Sequence, residues 1–163
     1  MAIIYKGIRC SICGQEIDIA QDFFATSGVF FPIDDPLFKY CDAALHWDCY
    51  EHWPHRARFA KQYVDMWAES VSENPYWFMV GHTKRYFIQI NPDEPVARID
   101  LFLYETGSSV WIELSEWDRW ISDERSAVSG LYSLEARAIS QIYRELASKY
   151  PDKNALLAAI TRS

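Results

Sequence analysis

A chain of 163 residues, half of them apolar and 16% aromatic, carries enough side chain for a real core and suits one domain or two small ones, which excludes a disordered polypeptide. Its longest apolar runs are short, such as residues 76–80, which excludes a membrane-spanning helix; residues 1–7 show neither a basic leader nor a signal-length apolar stretch, so a cytoplasmic protein is expected. A formal charge of -7 without any Lys/Arg cluster argues against nucleic acid, whose affinity rests mostly on phosphate neutralisation, and suits a protein partner of basic character.

Taken in order, Ile3, Ile4, Tyr5 and Ile8 predict a short extended lead-in. Phe23, Phe24, Phe30 and Phe31 flank the turn residues Thr26-Ser27-Gly28 and predict a β-hairpin over residues 23–32. Asp34-Asp35-Pro36 predicts a turn, and residues 37–41 a further short strand. Asp42 is placed to cap a helix starting near Ala43 or Ala44, with His46 and Cys49 three apart on one face. Phe59, Tyr63, Met66, Trp67 and Val71 give a core-facing stripe to an amphipathic helix over residues 55–71, which Ser72-Glu73-Asn74-Pro75 ends.

The character then changes, so regions are drawn at 1–74 and 75–163; the first holds 6 Lys+Arg against 11 Asp+Glu, the second 10 against 12. Residues 76–81, 86–90, 96–104 and 109–114 read as strands separated by turn residues, and such short connections predict an antiparallel meander. Ile99, Leu101 and Leu103, like Val110, Ile112 and Leu114, alternate with polar or outward residues, which predicts one buried face. Ser115 to Asp118 resembles a capping box ahead of Trp117, Trp120 and Ile121. Residues 122–130 read as a loop, Ser133 as the cap of a long helix carrying Leu134, Ala138, Ile139, Ile142, Tyr143 and Leu146, and Asp152 as the cap of a last helix carrying Leu156, Leu157 and Ile160.

The chemistry concentrates in Cys10-Ser11-Ile12-Cys13-Gly14 and His46-Trp47-Asp48-Cys49. A Cys-x-x-Cys pair sets two thiolates on one tight turn, Gly14 permits the backbone to aim both inward, and His-x-x-Cys sets two ligands on one helical turn. The predicted site is structural zinc on Cys10, Cys13, His46 and Cys49, a closed set that leaves no coordination position for hydrolysis. Cys41 or His52 can replace a member of the second pair. Without an export signal, three of four cysteines at metal spacing favour a reduced compartment over disulfides. Such sites are worth about 10–16 kcal/mol in finger peptides, comparable to a domain's stability, so loss of zinc is expected to unfold the N-terminal half.

The order Cys, Cys, His, Cys over residues 8–53 is similar to treble-clef zinc fingers, in particular those of poly(ADP-ribose) polymerases and, more loosely, LIM modules. That resemblance implies a structural zinc with its first pair on a knuckle and its second on a helix. The fold class expected for the whole is therefore α+β: an N-terminal treble-clef zinc finger with a helix, followed by a small antiparallel sheet covered by C-terminal helices.

No catalytic set accompanies the metal. HNH nucleases need a catalytic His on the hairpin, and residues 14–45 contain none. A Cys/His protease would need Cys41 beside His46, which zinc uses better. Asp34-Asp35 is a turn, His82 sits at a strand end in an exposed loop, and no Gly-rich phosphate loop exists. The reading is a non-enzymatic protein acting through protein–protein contact, such as a toxin-neutralising immunity protein or an adaptor; a nucleic-acid-binding zinc-finger regulator is the second reading. Some of Trp47, Trp53, Trp77, Trp111, Trp117 and Trp120 are expected on the surface as partner anchors.

Overall fold

A computed structural model describes residues 4–21, 23–71, 73–93 and 97–160; the expectations placed on Ile3, Ser72 and Val96 fall outside them. The elements are β1 (Phe23–Ala25), β2 (Ala44–His46), α1 (Trp47–Glu51), α2 (Arg56–Val71), β3 (Phe78–His82), β4 (Tyr86–Asn91), β5 (Arg98–Leu103), β6 (Ser109–Glu113), α3 (Trp117–Ser122), α4 (Glu124–Val128), α5 (Ser133–Lys149) and α6 (Lys153–Ala158). The architecture is α+β, and the chain divides within α2 into two compact units, Met1–Tyr63 and Val64–Ser163.

In the first unit the predicted hairpin over residues 23–32 does not form. β1 instead pairs with β2, antiparallel, Phe23 against His46 and Ala25 against Ala44. Thr26 extends that pairing: its N–H donates to the Ala43 carbonyl at 2.9 Å, and its buried hydroxyl accepts from the Ala43 N–H at 3.1 Å. Phe30 and Phe31, freed from a strand, pack edge-on and stacked around Phe59. The expected strand over residues 37–41 is a single 3-10 turn, Phe38–Tyr40. The Asp35 carboxylate accepts the Leu37 N–H at 2.8 Å and the Asp35 carbonyl accepts from Phe38 at 2.9 Å, so the turn chemistry of Asp35 carries on past Pro36. Asp42 sits at φ +55, a left-handed conformation no N-cap adopts, and α1 begins only at Trp47, after β2. Phe24 stacks on Tyr50 at 4.2 Å, and Trp53 meets Phe59 at 5.2 Å, giving this unit an aromatic core.

The second unit holds the meander in the order β3-β4-β5-β6, with Ile88 against Leu101 and Leu101 against Val110. One face, built from Tyr86, Ile88, Ile90, Ile99, Leu101, Val110 and Ile112, packs on Ala138, Ile139, Ile142 and Leu146 of α5 and on Trp117. The alternation predicted for one buried face holds only in β6. β4 and β5 are buried almost throughout, because Val64, Ala68 and Val71 of α2 cover Phe87 and Phe102 on the second face. Leu114–Glu116 is a 3-10 turn leading into α3, whose start carries no side-chain cap, so the capping box expected at Ser115 is absent. Within the expected loop at 122–130 lies α4, capped by Asp123, which accepts from the Arg125 N–H at 3.1 Å and the Ser126 hydroxyl at 2.7 Å. The cap of α5 is Tyr132 in place of Ser133, with its N–H held by Glu135. Asp152 caps α6 as expected, accepting from the Ala155 N–H at 2.8 Å. Of the named tryptophans, Trp47, Trp53 and Trp117 are buried, Trp77 and Trp120 half-buried, and Trp111 exposed. Among the described residues, no helix is long and apolar enough to cross a membrane.

Candidate metal centre

The first ligand pair sits on a knuckle. Cys10 and Gln15 close it, N–H to carbonyl at 2.8 Å, the Gly14 N–H returns to the Cys10 carbonyl at 2.8 Å, and Arg9 bridges Glu16 at its base. Gly14 takes φ +75, the left-handed conformation the turn requires. The Ser11 N–H donates to the Ala44 carbonyl at 3.1 Å, fastening the knuckle to β2. The second pair follows directly: His46 ends β2 and is the extended N-cap of α1, while Cys49 lies in its first turn.

These elements bring four donors together. The Sγ atoms of Cys10, Cys13 and Cys49 and a His46 ring nitrogen all lie within 4.8 Å of one another. His46 Nδ1 is 3.4 Å from Cys13 Sγ and 3.8 Å from Cys49 Sγ, and the His46 N–H points at Cys10 Sγ from 3.4 Å. A tetrahedral ion about 2.3 Å from sulfur and about 2.0 Å from nitrogen requires sulfur–nitrogen edges of about 3.5 Å, so the spacing fits. His46 Nε2 lies 3.3 Å from the Glu16 carbonyl. A ring that donates there from Nε2 leaves Nδ1 as a lone pair facing the sulfurs, the usual device for fixing a ligand histidine. Three thiols and one imidazole in this arrangement can hold a metal ion.

The electrostatics show what the cluster lacks. Burial raises the Cys10 thiol, but the N–H groups of Cys13, His46 and Ile12 outweigh it and bring the pKa down to about 7. Cys49 is pushed up to about 12, first by burial and then by the neighbouring Cys13 and Cys10 sulfurs. One thiolate is welcome among the backbone amides, and further negative charge needs a cation between the sulfurs.

The four residues expected from the sequence are thus the four that cluster. Cys41 is outside the group, and His52 directs Nδ1 to the Asp48 carbonyl of its own helix at 2.8 Å. Two supports had no signal in the sequence: the Glu16 carbonyl and the Ser11 N–H act through backbone that any residue supplies. His82, expected exposed at a strand end, is the last residue of β3 and exposed, with Nε2 2.7 Å from the Tyr104 hydroxyl, which in turn donates to Asp65 at 2.8 Å. Burial first, then the Asp65 carboxylate, raises the Tyr104 pKa. No protein-family model matches the chain, and no curated protein or solved structure shows significant similarity to it.

Proposed function

We propose that this is a non-enzymatic zinc-binding protein in which Cys10, Cys13, His46 and Cys49 hold one structural zinc ion, and that it acts by contact with a basic protein, as an adaptor or a neutralising partner does. The observation that carries the metal reading is the convergence of three sulfurs and His46 Nδ1 within 4.8 Å. Three thiolates and an imidazole suit zinc, which accepts mixed sulfur and nitrogen donors in a closed tetrahedron. The succession of knuckle, short antiparallel strand pair and helix bearing the second pair supports a treble-clef-like finger. With all four positions filled by protein, the zinc supplies cross-linking charge and no site for an attacking water.

Metal analysis of the purified chain tests this reading. About one equivalent of zinc per chain is expected, lost in both Cys10→Ser and Cys49→Ser; zinc retained in both variants refutes the ligand set. The contact reading is supported by the net charge of -7 alone and is tested by affinity capture from the source cells: recovery of no basic protein overturns it.

A further inference from the structure

Among the described residues the four-stranded sheet ends in two edge strands, β3 and β6, and they differ. The β3 edge is broken by a bulge between Met79 and Gly81, a feature that deters further pairing. β6 is a regular five-residue strand at the opposite edge, with Ser109, Trp111 and Glu113 exposed in alternation. Its inward bonds can be assigned: the Leu103 N–H donates to the Ser108 carbonyl at 3.0 Å and the Leu114 N–H to the Ala97 carbonyl at 3.1 Å. In an antiparallel ladder the residues bonding to one neighbour alternate, so Ser108, Val110, Ile112 and Leu114 bond to β5. The N–H and carbonyl groups of Ser109, Trp111 and Glu113 therefore point away from the sheet. On the same residues Trp111 is 66% exposed, while the other six tryptophans are buried or half-buried. An open groove of about 510 Å³, lined by Trp111 and Glu113 and by Trp120, Ser129 and Leu131, runs beside the strand.

We infer that β6 pairs with the β6 strand of a second copy of this chain, antiparallel and centred on Trp111, to join two sheets across a two-fold axis. The occupant is argued from the outward sequence Ser-Trp-Glu, which set against its own reverse brings no like charges together and pairs its one aromatic ring with itself. Centred on Trp111, indole lies across from indole and each Glu113 faces a Ser109 of the other copy, where it meets no like charge. Centred on Glu113, two carboxylates face each other; centred on Ser109, Trp111 loses its aromatic partner. The register is thus set by charge and ring pairing together. Strand pairing alone buries less than the roughly 1,200 Å² of a stable interface, so a dimer with Kd of about 10–100 μM is expected.

Sedimentation of the full chain across about 1 μM to 500 μM tests this, with the weight-average mass rising from 19.1 kDa toward twice that value. Glu113 has φ -60, so Glu113→Pro fits the existing backbone and removes an outward N–H together with the Glu113 carboxylate. That variant, with folding checked by circular dichroism, is expected to weaken the dimer at least about tenfold, as is Ser109→Glu, which sets carboxylates across from one another. Ser109→Lys, which meets Glu113 of the other copy, is expected to tighten it several-fold. A chain that stays monomeric at about 500 μM, or a dimer that ignores Glu113→Pro and both Ser109 substitutions, overturns the inference.

Discussion

His46 serves the cluster with both its backbone and its ring, and its position explains both. As the N-cap of α1 it stands where β2 ends, so its backbone N–H reaches Cys10 Sγ while Nδ1 faces Cys13 and Cys49. The thiols bind metal only as thiolates, so protons and metal compete for the site. Cys10 gives up its proton near pH 7, and Cys49, held as a thiol up to about pH 12 without metal, must give one up on binding. Metal uptake at neutral pH therefore releases protons, and retention is expected to fall as pH drops from about 7 to about 4, measured as metal per chain after dialysis. The metal-free fold follows the same sign for Cys10: a depressed pKa stabilises the fold above its ordinary value of 9.0, and that contribution is lost as pH falls through about 7. Metal content unchanged down to about pH 4 would argue that the cysteines are not the ligands.

At the scale of elements, Tyr150 joins β3 to the end of α5 in the second unit. Tyr150, 1% exposed, donates its hydroxyl to the Val80 carbonyl at 3.3 Å and its carbonyl accepts from Trp117 Nε1 at 3.1 Å. A β-carbon at Gly81 would collide with the Tyr150 hydroxyl, and a buried ring bonded through that hydroxyl, on a backbone held by Trp117, has little room to shift. Gly81→Ala is expected to destabilise by about 1–3 kcal/mol, read as a lowered urea midpoint at constant slope; an unchanged midpoint would show that the helix end yields. What the sequence reveals follows the length of each element. α5 and the meander were legible because Leu134 to Leu146 and Ile99 to Leu103 repeat their periods long enough to be recognised. β1, β2 and α4 were not, since elements of three to five residues contain less than two periods, and the pairing of Phe24 with Leu45 spans a connection whose closure no local pattern announces. The clustering of Cys10, Cys13, His46 and Cys49 was legible for a different reason: metal spacing is chemical and does not depend on where β2 or α1 begins, so the grouping survived errors in both elements.

For the molecule as a whole, the two units differ in what holds them up. The second has a sheet of four strands, a largely aliphatic core from Val80 to Leu156 with a few aromatic rings among it, and the 17-residue α5. The first has one pair of three-residue strands, a five-residue α1 and an aromatic core that includes Tyr50, whose fully buried hydroxyl meets no described partner. An isolated two-stranded ladder is marginal in water, and a buried hydroxyl without a partner costs about 1–3 kcal/mol. The knuckle attaches to that ladder through Ser11 to Ala44 and through the cluster itself, so a metal held there would span the parts that secondary structure alone leaves weakly joined. Chelation is therefore expected to act unevenly along the chain. Amide exchange after metal removal should lose protection in β1, β2 and α1, and keep it in β4, β5 and α5, where the buried ladder and helix owe nothing to the sulfurs. Uniform loss along the whole chain would mean that the ion supports the second core as well, and unchanged exchange in β1 and β2 would mean that the aromatic core holds the first unit without it.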